Sequence, residues 1–386
     1  MKINKLAMTA GVLGSCLMFS SGAFAGAKIV VDDTKWVSIG AGLRTSFSAI
    51  EDSAGSDGSD YSKDFSVESM RIYINGQIHK YLKLEFNTEC LGTTPGDCTK
   101  DPDIEILDAI AKFEFMPTFN VWAGRMLTPA DRIEMNGPYY GLTWNQYTVP
   151  LLPSDQFGDA GTYGRDEGVT VWGALGKFQY AVGIFDGLEG GANVDDSFLY
   201  AGRFAYNFLN MESNPGYYTS STYYGGGGDI FTVGLSLQHQ SDGTGTAAAP
   251  GDFSAYIVDA LFEKPLANDG VVTLEGEYKV FDADNSAAAL ADPACFCMFD
   301  GESYFVTAAY LFPQEVGIGK FQPYIRWNEN MPDSGADSDL LELGVNYVIS
   351  GHNARLNFNW RTGDANASGA AGSDVDAFLV GVQFQL

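Results

Sequence analysis

The chain has 386 residues, of which 49 are acidic and only 22 are Lys or Arg, so its net charge at pH 7 is −27. This charge argues against a nucleic-acid partner, because phosphates require clustered Lys and Arg. It also argues against docking on an anionic lipid surface. Aromatic residues make up 13% of the chain and lysine is scarce, which favours an all-β fold.

The first 25 residues have the pattern of a secretory signal peptide. Lys2 and Lys5 precede a mostly apolar run, and Ala23-Phe24-Ala25 supplies a small-residue cleavage site. We therefore expect residues 1–25 to be removed. No later apolar run is long enough for a membrane-spanning helix, which leaves a periplasmic protein, a secreted protein or a membrane barrel.

Export makes disulfides possible for the four remaining cysteines. Cys90 and Cys98 bracket a turn-rich loop and are expected to pair. Cys295 and Cys297 are too closely spaced to bridge without strain, and could instead reach another loop. The sequence predicts no metal site and no cofactor, because the three histidines lie far from these cysteines.

Apolar residues alternate with polar or small ones along much of the chain. Val37, Ile39 and Leu43 lie on one face, and Ser38 and Arg44 lie between them. A period of two indicates a strand with one apolar face. The pattern recurs in roughly 16 segments, an even number that suits a porin-sized barrel.

The connections between these segments alternate in length. Short turns are predicted at 79–81, 116–119 and 350–353, and long Gly/Asp/Ser-rich loops at 51–63, 90–103, 241–252, 282–301 and 362–374. This alternation is typical of a transmembrane antiparallel up-and-down β-barrel with short periplasmic turns and long extracellular loops. The connection 210–228 lies on the short-turn side yet is long, and the pattern gives no explanation for it.

The last strand carries a second signal. Phe378, Val380, Val382, Phe384 and Leu386 alternate up to the final residue, which resembles the assembly signal of outer-membrane proteins, although that signal usually ends in Phe. We therefore expect residues 26–386 to form a single barrel in a bacterial outer membrane. Its expected partners are outer-membrane lipid and lipopolysaccharide, with small solutes or ions inside. A homotrimer is common for porins of this size.

Three stretches resemble the phosphate-selective porin (O and P type) family of Gram-negative bacteria. They are Ala123-Gly124-Arg125-Met126-Leu127-Thr128-Pro129, then Arg165-Asp166-Glu167-Gly168-Val169 with 180–187, and Val345-Asn346-Tyr347 with 351–356. The resemblance implies an outer-membrane porin. Family members that select phosphate are understood to use rows of Lys and Arg along the pore, and this chain has few basic residues to place.

Strand parity predicts a lumen of mixed charge. The inward residues are predicted to include Arg44, Arg71, Lys83, Arg203, Arg326, Arg355, Arg361, Glu275, Glu277 and Glu342. This mixture weakens the case for phosphate. Arg355 and Arg361 are equally consistent with a structural wall of ion pairs to Glu342.

The segment 128–164 is too long for an ordinary connection and is the third loop on the long side, which in porins folds into the barrel. It carries Asp131, Arg132, Glu134, Tyr139 and Tyr140. We hypothesise that Asp131, Arg132 and Glu134 face lumen arginines across a constriction, because rings of charge select ions in this way. The alternative is an outward lid in which the aromatic residues only pack.

Catalysis is not predicted. His79 and His352 fall at short turns, His239 begins a long loop, and none has a serine or acid partner nearby in the sequence. Three functions remain: a porin for passive diffusion of small hydrophilic solutes or ions, including anions such as phosphate; a barrel scaffold that sheathes a partner such as an electron-transfer protein; and a secreted all-β adhesin.

Overall fold

The computed structural model describes residues 26–91, 98, 103–156 and 160–386. The signal peptide predicted for residues 1–25 lies outside them. The strands are β1 (Ala27–Val30), β2 (Trp36–Ala54), β3 (Asp60–His79), β4 (Leu82–Leu91), β5 (Asp103–Met116), β6 (Phe119–Leu127), β7 (Arg165–Leu175), β8 (Phe178–Phe185), β9 (Leu199–Asn207), β10 (Ile230–Thr246), β11 (Ala249–Pro265), β12 (Val271–Ala283), β13 (Gly301–Leu311), β14 (Lys320–Pro332), β15 (Ser338–Ser350), β16 (Ala354–Gly363) and β17 (Val375–Gln385). Two helices, α1 (Arg132–Tyr140) and α2 (Ala287–Leu290), lie in connections.

Strands β2 to β17 form a closed antiparallel barrel, which gives sixteen barrel strands within the described residues. Closure occurs where β17 pairs with β2, with Gly381 opposite Ser46 and Gln385 opposite Gly42. The short β1, which the sequence pattern did not predict, pairs with the start of β2. The expected fold class, an up-and-down barrel of about sixteen strands, is confirmed.

The period-two pattern places apolar side chains outside and polar ones inside. On β2, Ile39 and Leu43 are exposed whereas Arg44 is buried. On β17, Phe378 and Phe384 are exposed at the outer face. A water-soluble sandwich would bury its apolar face instead, so the fold expected of a soluble adhesin is wrong.

The two ends of the barrel differ in their connections. Short turns follow β3, β5, β7 and β15, and the longer connections lie mostly at the opposite end. Two predicted long loops are wrong: 51–63 and 241–252 are mostly strand, because β2–β3 and β10–β11 continue as hairpins to turns at 55–59 and 247–248. No helix in the described part of the chain is long and apolar enough to cross a membrane.

Both cysteine pairs are bonded. Cys90 at the end of β4 is linked to Cys98. Cys295 and Cys297 are linked to each other, contrary to the expectation that strain would prevent it. Their Cα atoms lie 5.1 Å apart, within the usual range of roughly 4.4–6.8 Å, because the chain turns locally at 292–295.

Candidate functional site in the barrel lumen

Two connections enter the barrel from opposite ends. We call residues 128–164 the constriction loop and residues 208–229, between β9 and β10 on the short-turn side, the inner segment. Ile133 and Tyr139 of the constriction loop are fully buried, as are Ser221 and Thr222 of the inner segment. The long connection that the pattern left unexplained is therefore part of the lumen filling.

Helix α1 begins the constriction loop inside the lumen. The Asp131 carboxylate accepts a hydrogen bond of 3.0 Å from the Glu134 backbone N–H, which caps the helix. Gly137 has a φ of 57° and is followed by Pro138, so regular helical geometry ends there. The remaining chain then runs along the barrel wall.

Wall arginines hold the constriction loop by its backbone. Arg44 donates to Pro138 O at 2.8 Å and Trp144 O at 2.7 Å, and Arg355 donates to Gly141 O at 2.6 Å. Further donors to loop carbonyls are Arg203, Arg326, Ser236, Gln238, Lys279, Asn328, Asn346 and Gln383. Four arginines that were predicted to line the lumen thus bind carbonyl oxygens of the chain itself.

The acids of the constriction loop contact a lysine and not arginines. Lys279 Nζ on β12 lies 2.8 Å from Asp131 Oδ2 and 3.0 Å from Glu134 Oε1, and all three side chains are buried. Glu277 Oε1 lies 3.5 Å from the same nitrogen. The hypothesis that Asp131 and Glu134 face arginines across an open gap is therefore wrong, because Lys279 fills that position.

Asp155 joins this acidic cluster from farther along the loop. Burial raises the pKa of its carboxyl to about 6, with the negative charge of Asp131 contributing in the same direction. A hydrogen bond between its side chain and that of Glu134 acts on the pKa in the opposite direction. Strand parity predicts that Lys279 points inward, but the sequence pattern offered no signal for its acidic partners or for Asp155, since these residues come from distant parts of the chain.

Arg132 links the constriction loop to the inner segment. Its Nη1 and Nη2 atoms bind Glu212 Oε2 and Oε1 at 2.8 and 2.7 Å. Its Nε atom lies 3.3 Å from Asp259 on β11, which also binds Arg203. Paired donors on a carboxylate give both strength and orientation, so Arg132 fixes the two inserted segments relative to each other.

Other contacts complete this junction. Ser221 N–H donates to Tyr140 O at 3.1 Å, and Asn136 Nδ2 donates to Ser221 Oγ at 2.5 Å. Tyr217 and Tyr218 pack against Trp122 on β6 with ring centroids 5.4 and 5.6 Å away. The two inserts therefore form one packed body inside the barrel.

The remaining predicted site residues also face inward, with specific partners. Tyr139 OH lies 3.1 Å from Ser69 Oγ, and Glu275 accepts a hydrogen bond from Ser221 at 2.6 Å. Lys83 pairs with Glu114. Glu342 accepts a hydrogen bond of 2.5 Å from Tyr324 OH. Among the described residues it forms no ion pair with Arg355 or Arg361, so the alternative of a structural wall of ion pairs between these residues is wrong.

A cavity of about 250 Å³ remains beside β3 to β5. The barrel wall and both inserts line this cavity. The wall residues are Arg71, Tyr73, Asn75, Glu85, Asn87 and Asp108, and the insert residues include Asn136, Tyr140 and Tyr218. The cavity lies at the short-turn end of the barrel, because Gly351, His352 and Leu386 also line it. Its charges are matched nearby: Arg71 binds Glu89, Lys112 binds Glu85, and Arg165 binds Asp108.

Two histidines lie beside serines, which the sequence did not indicate. His352 Nε2 is 3.1 Å from Ser220 Oγ and 2.8 Å from Thr222 O. The carbonyl oxygen can only accept, so Nε2 carries the proton and cannot take one from Ser220. Nδ1 of the exposed His239 lies 3.0 Å from Oγ of the half-buried Ser254. Neither histidine contacts a carboxylate within the described ranges, so neither forms a catalytic triad there.

One group of the described residues has metal-ligand spacing: Glu89, Cys90 and Cys98. The disulfide uses both sulfurs, and a thiolate is the form of cysteine that binds metals. The group is therefore not a metal site in this state.

No protein-family model matches the chain, and no curated protein matches it. Among solved structures, an anion-selective porin from Comamonas acidovorans matches with a TM-score of 0.58 at 14% identity, over 91% of this chain and 100% of that chain. Salmonella typhi OmpF, solved with daunomycin, matches with a TM-score of 0.57 at 12% identity, over 93% and 100%. The fold is that of an outer-membrane porin.

The Vibrio cholerae outer-membrane protein OmpT, folded in vitro, is similar to this porin-type barrel to the same degree. Its TM-score is 0.56 at 14% identity, over 93% of this chain and 100% of that chain. The predicted outer-membrane barrel class is confirmed by these likenesses. The phosphate-selective subtype implied by the sequence resemblance stays a prediction.

Proposed function

We propose that this chain is a porin for passive diffusion of small hydrophilic solutes or ions across the outer membrane. The observation that carries the proposal is a closed barrel whose polar interior is narrowed by two inserted segments and still holds a cavity along β3 to β5, lined by both polar and apolar groups. Water-filled, polar-lined barrels conduct solutes by this arrangement.

The charges favour weak selectivity over phosphate capture. Arg44, Arg203, Arg326 and Arg355 donate to carbonyl oxygens of the constriction loop, so they do not form a row of free cations. The cations beside the cavity are paired with acids. The similar structure from Comamonas acidovorans is an anion-selective porin, and the pairing of charges in this lumen argues against the same selectivity.

The middle of the barrel, where a sheathed partner protein would lie, is occupied by the chain itself. Residues 128–156 and the inner segment fill the middle of the barrel, and Arg132 binds both Glu212 and Asp259 there with almost no exposure. This filling argues against the scaffold alternative. A homotrimer fits the porin proposal, and Vibrio cholerae OmpT, which has a similar structure, has a trimer form.

Planar-bilayer recording of the folded mature protein tests the proposal. We expect stable single-channel steps and a small reversal potential under a salt gradient, because the lumen charges are compensated. Heat-modifiable, and therefore folded, protein that gives no steps would contradict the porin proposal. A large reversal potential would retain the pore and contradict weak selectivity.

A further inference from the structure

We propose that the cavity beside β3 to β5 is a binding site for a neutral, polyhydroxylated solute of about one sugar ring. This inference rests on the proposed porin function and adds a solute class to it. The site lies between the barrel wall and both inserted segments, at the short-turn end of the lumen.

The first argument is charge compensation. Arg71 Nε lies 2.5 Å from Glu89 Oε2, and Arg165 Nε lies 3.2 Å from Asp108 Oδ1. Lys112 and Glu85 form a third buried pair. Arg71 Nη2 is buried without a hydrogen-bond partner among the described residues, but Glu89 already compensates the Arg71 charge. A charged solute would therefore lose its hydration in this enclosure without finding an uncompensated opposite charge, which is costly. A neutral polar solute avoids that cost.

The wider lumen strengthens the case against an anion. Asp131, Glu134 and Glu277 surround the single cation Lys279, and all four side chains are buried. The formal charge of this group is negative, as is that of the whole chain. An anion therefore finds no surplus of positive charge at this cluster.

The second argument is the set of neutral polar groups with unused hydrogen-bonding capacity. Asn75 is buried on the cavity wall, and its side-chain amide has no hydrogen bond to any described residue. Asn87 Oδ1 and Tyr218 OH are buried and have no hydrogen-bond partner in the part of the chain that the structure describes. Buried amides and hydroxyls are normally hydrogen-bonded. These groups offer donors and acceptors together, as the hydroxyls of a polyol require.

The third argument is size and surface. The cavity volume of about 250 Å³ is several times the roughly 30 Å³ of one water, and lies just below the roughly 300–1,000 Å³ of drug-sized sites. Tyr73, Tyr140 and Tyr218 line it, and tyrosine combines an apolar ring face with a polar tip. One sugar ring has both kinds of surface.

A binding titration on detergent-folded protein tests the site. Trp122 lies 5.6 Å from the Tyr218 ring, so intrinsic fluorescence reports on the cavity. With D-glucose as the probe we expect a saturable change. Asn75→Ala and Tyr218→Phe should each weaken binding about fivefold, the effect of one lost hydrogen bond. Tyr200→Phe, on the exposed outer face of β9, is the matched control and should bind like the native protein.

The outcomes separate this inference from the porin proposal. The inference is overturned if heat-modifiable native protein does not bind glucose, if inorganic phosphate saturates the site and glucose does not, or if both folded variants bind glucose as tightly as the native protein. Glucose binding without conductance steps would support the site and contradict the porin. Steps without glucose binding would support the porin and contradict the site.

Discussion

Arg132 and Glu212 join two chain segments that enter the barrel from opposite ends. The guanidinium and carboxylate face each other through contacts of 2.7 and 2.8 Å, and both side chains are buried. The pair therefore couples the position of the constriction loop to that of the inner segment.

Loss of Arg132 should destabilise the barrel interior. Arg132→Met leaves the buried Glu212 without its cation, which typically costs about 3–5 kcal/mol. The measurement is the temperature at which the folded band disappears in a heat-modifiability gel. Arg125→Met is the matched control, because the Arg125 partner Glu167 is largely exposed and exposed pairs contribute roughly 0–1 kcal/mol. An equal decrease in this temperature for both variants would contradict the larger stabilising role of Arg132.

The backbone contacts of Arg355 should restrain the constriction loop. Arg355→Ala removes the hydrogen bond to Gly141 O and should raise both the conductance and the current noise of single channels. Arg361→Ala on the same strand is the control, because Arg361 faces the lumen without a hydrogen bond to the described part of the loop. If Arg361→Ala changed the recordings as much as Arg355→Ala, the restraint would not be specific to the loop contact.

Gly216 should be required for docking of the inner segment. Its φ is 60°, and a Cβ atom there would lie 2.3 Å from the Trp122 ring. Gly216→Ala should therefore lower stability by about 1–3 kcal/mol and change the fluorescence of Trp122. Gly176→Ala is a useful control, since Gly176 also has a positive φ of 62° but has open space around it. A smaller loss of stability for Gly216→Ala than for Gly176→Ala would contradict the argument that a Cβ atom at Gly216 clashes with Trp122.

The pH dependence of stability should include a contribution from Asp155. Its folded-state pKa is raised from 3.8 to about 6 by burial, so the folded chain holds this proton more tightly than the unfolded chain. The resulting stability is fully present below pH 3.8 and is lost as the pH rises through about 6. Asp155→Asn should therefore stabilise the barrel relative to the native protein above this window and have little effect below it.

Thermal unfolding followed at several pH values measures this difference. The exposed Asp33 provides a control through Asp33→Asn, which should leave the difference between the native protein and Asp155→Asn unchanged. If the unfolding temperatures of the native protein and Asp155→Asn differed by the same amount at every pH, the predicted contribution of Asp155 titration would be contradicted.

The sequence predicted the wall of this barrel far better than its contents. Alternation along a strand is local, so the inward side of Arg44 and the outward side of Ile39 follow from position alone. The partner of an inward residue is not local. Arg355 binds a carbonyl 214 positions away, and no period in the sequence encodes that contact.

In the sequence, the inner segment was detectable only because it is a long connection on the side of the barrel where the other connections are short turns. Its length on the short-turn side was visible in the pattern, but its inward course depends on Tyr217 and Tyr218 packing against Trp122 and on Glu212 meeting Arg132. These are tertiary contacts between distant parts of the chain. The same reason explains why Lys279, and not an arginine, neutralises Asp131 and Glu134.

The wall binds the constriction loop mostly at its carbonyl oxygens, through donors on strands from β9 to β17 and on β2. Every residue type supplies a carbonyl, so these attachments do not depend on which side chains the loop carries. The barrel is consequently a frame in which an engineer can rewrite the half-buried side chains of the loop, such as Asn145 and Tyr147, to change what permeates, while the course of the loop is retained by the unchanged wall.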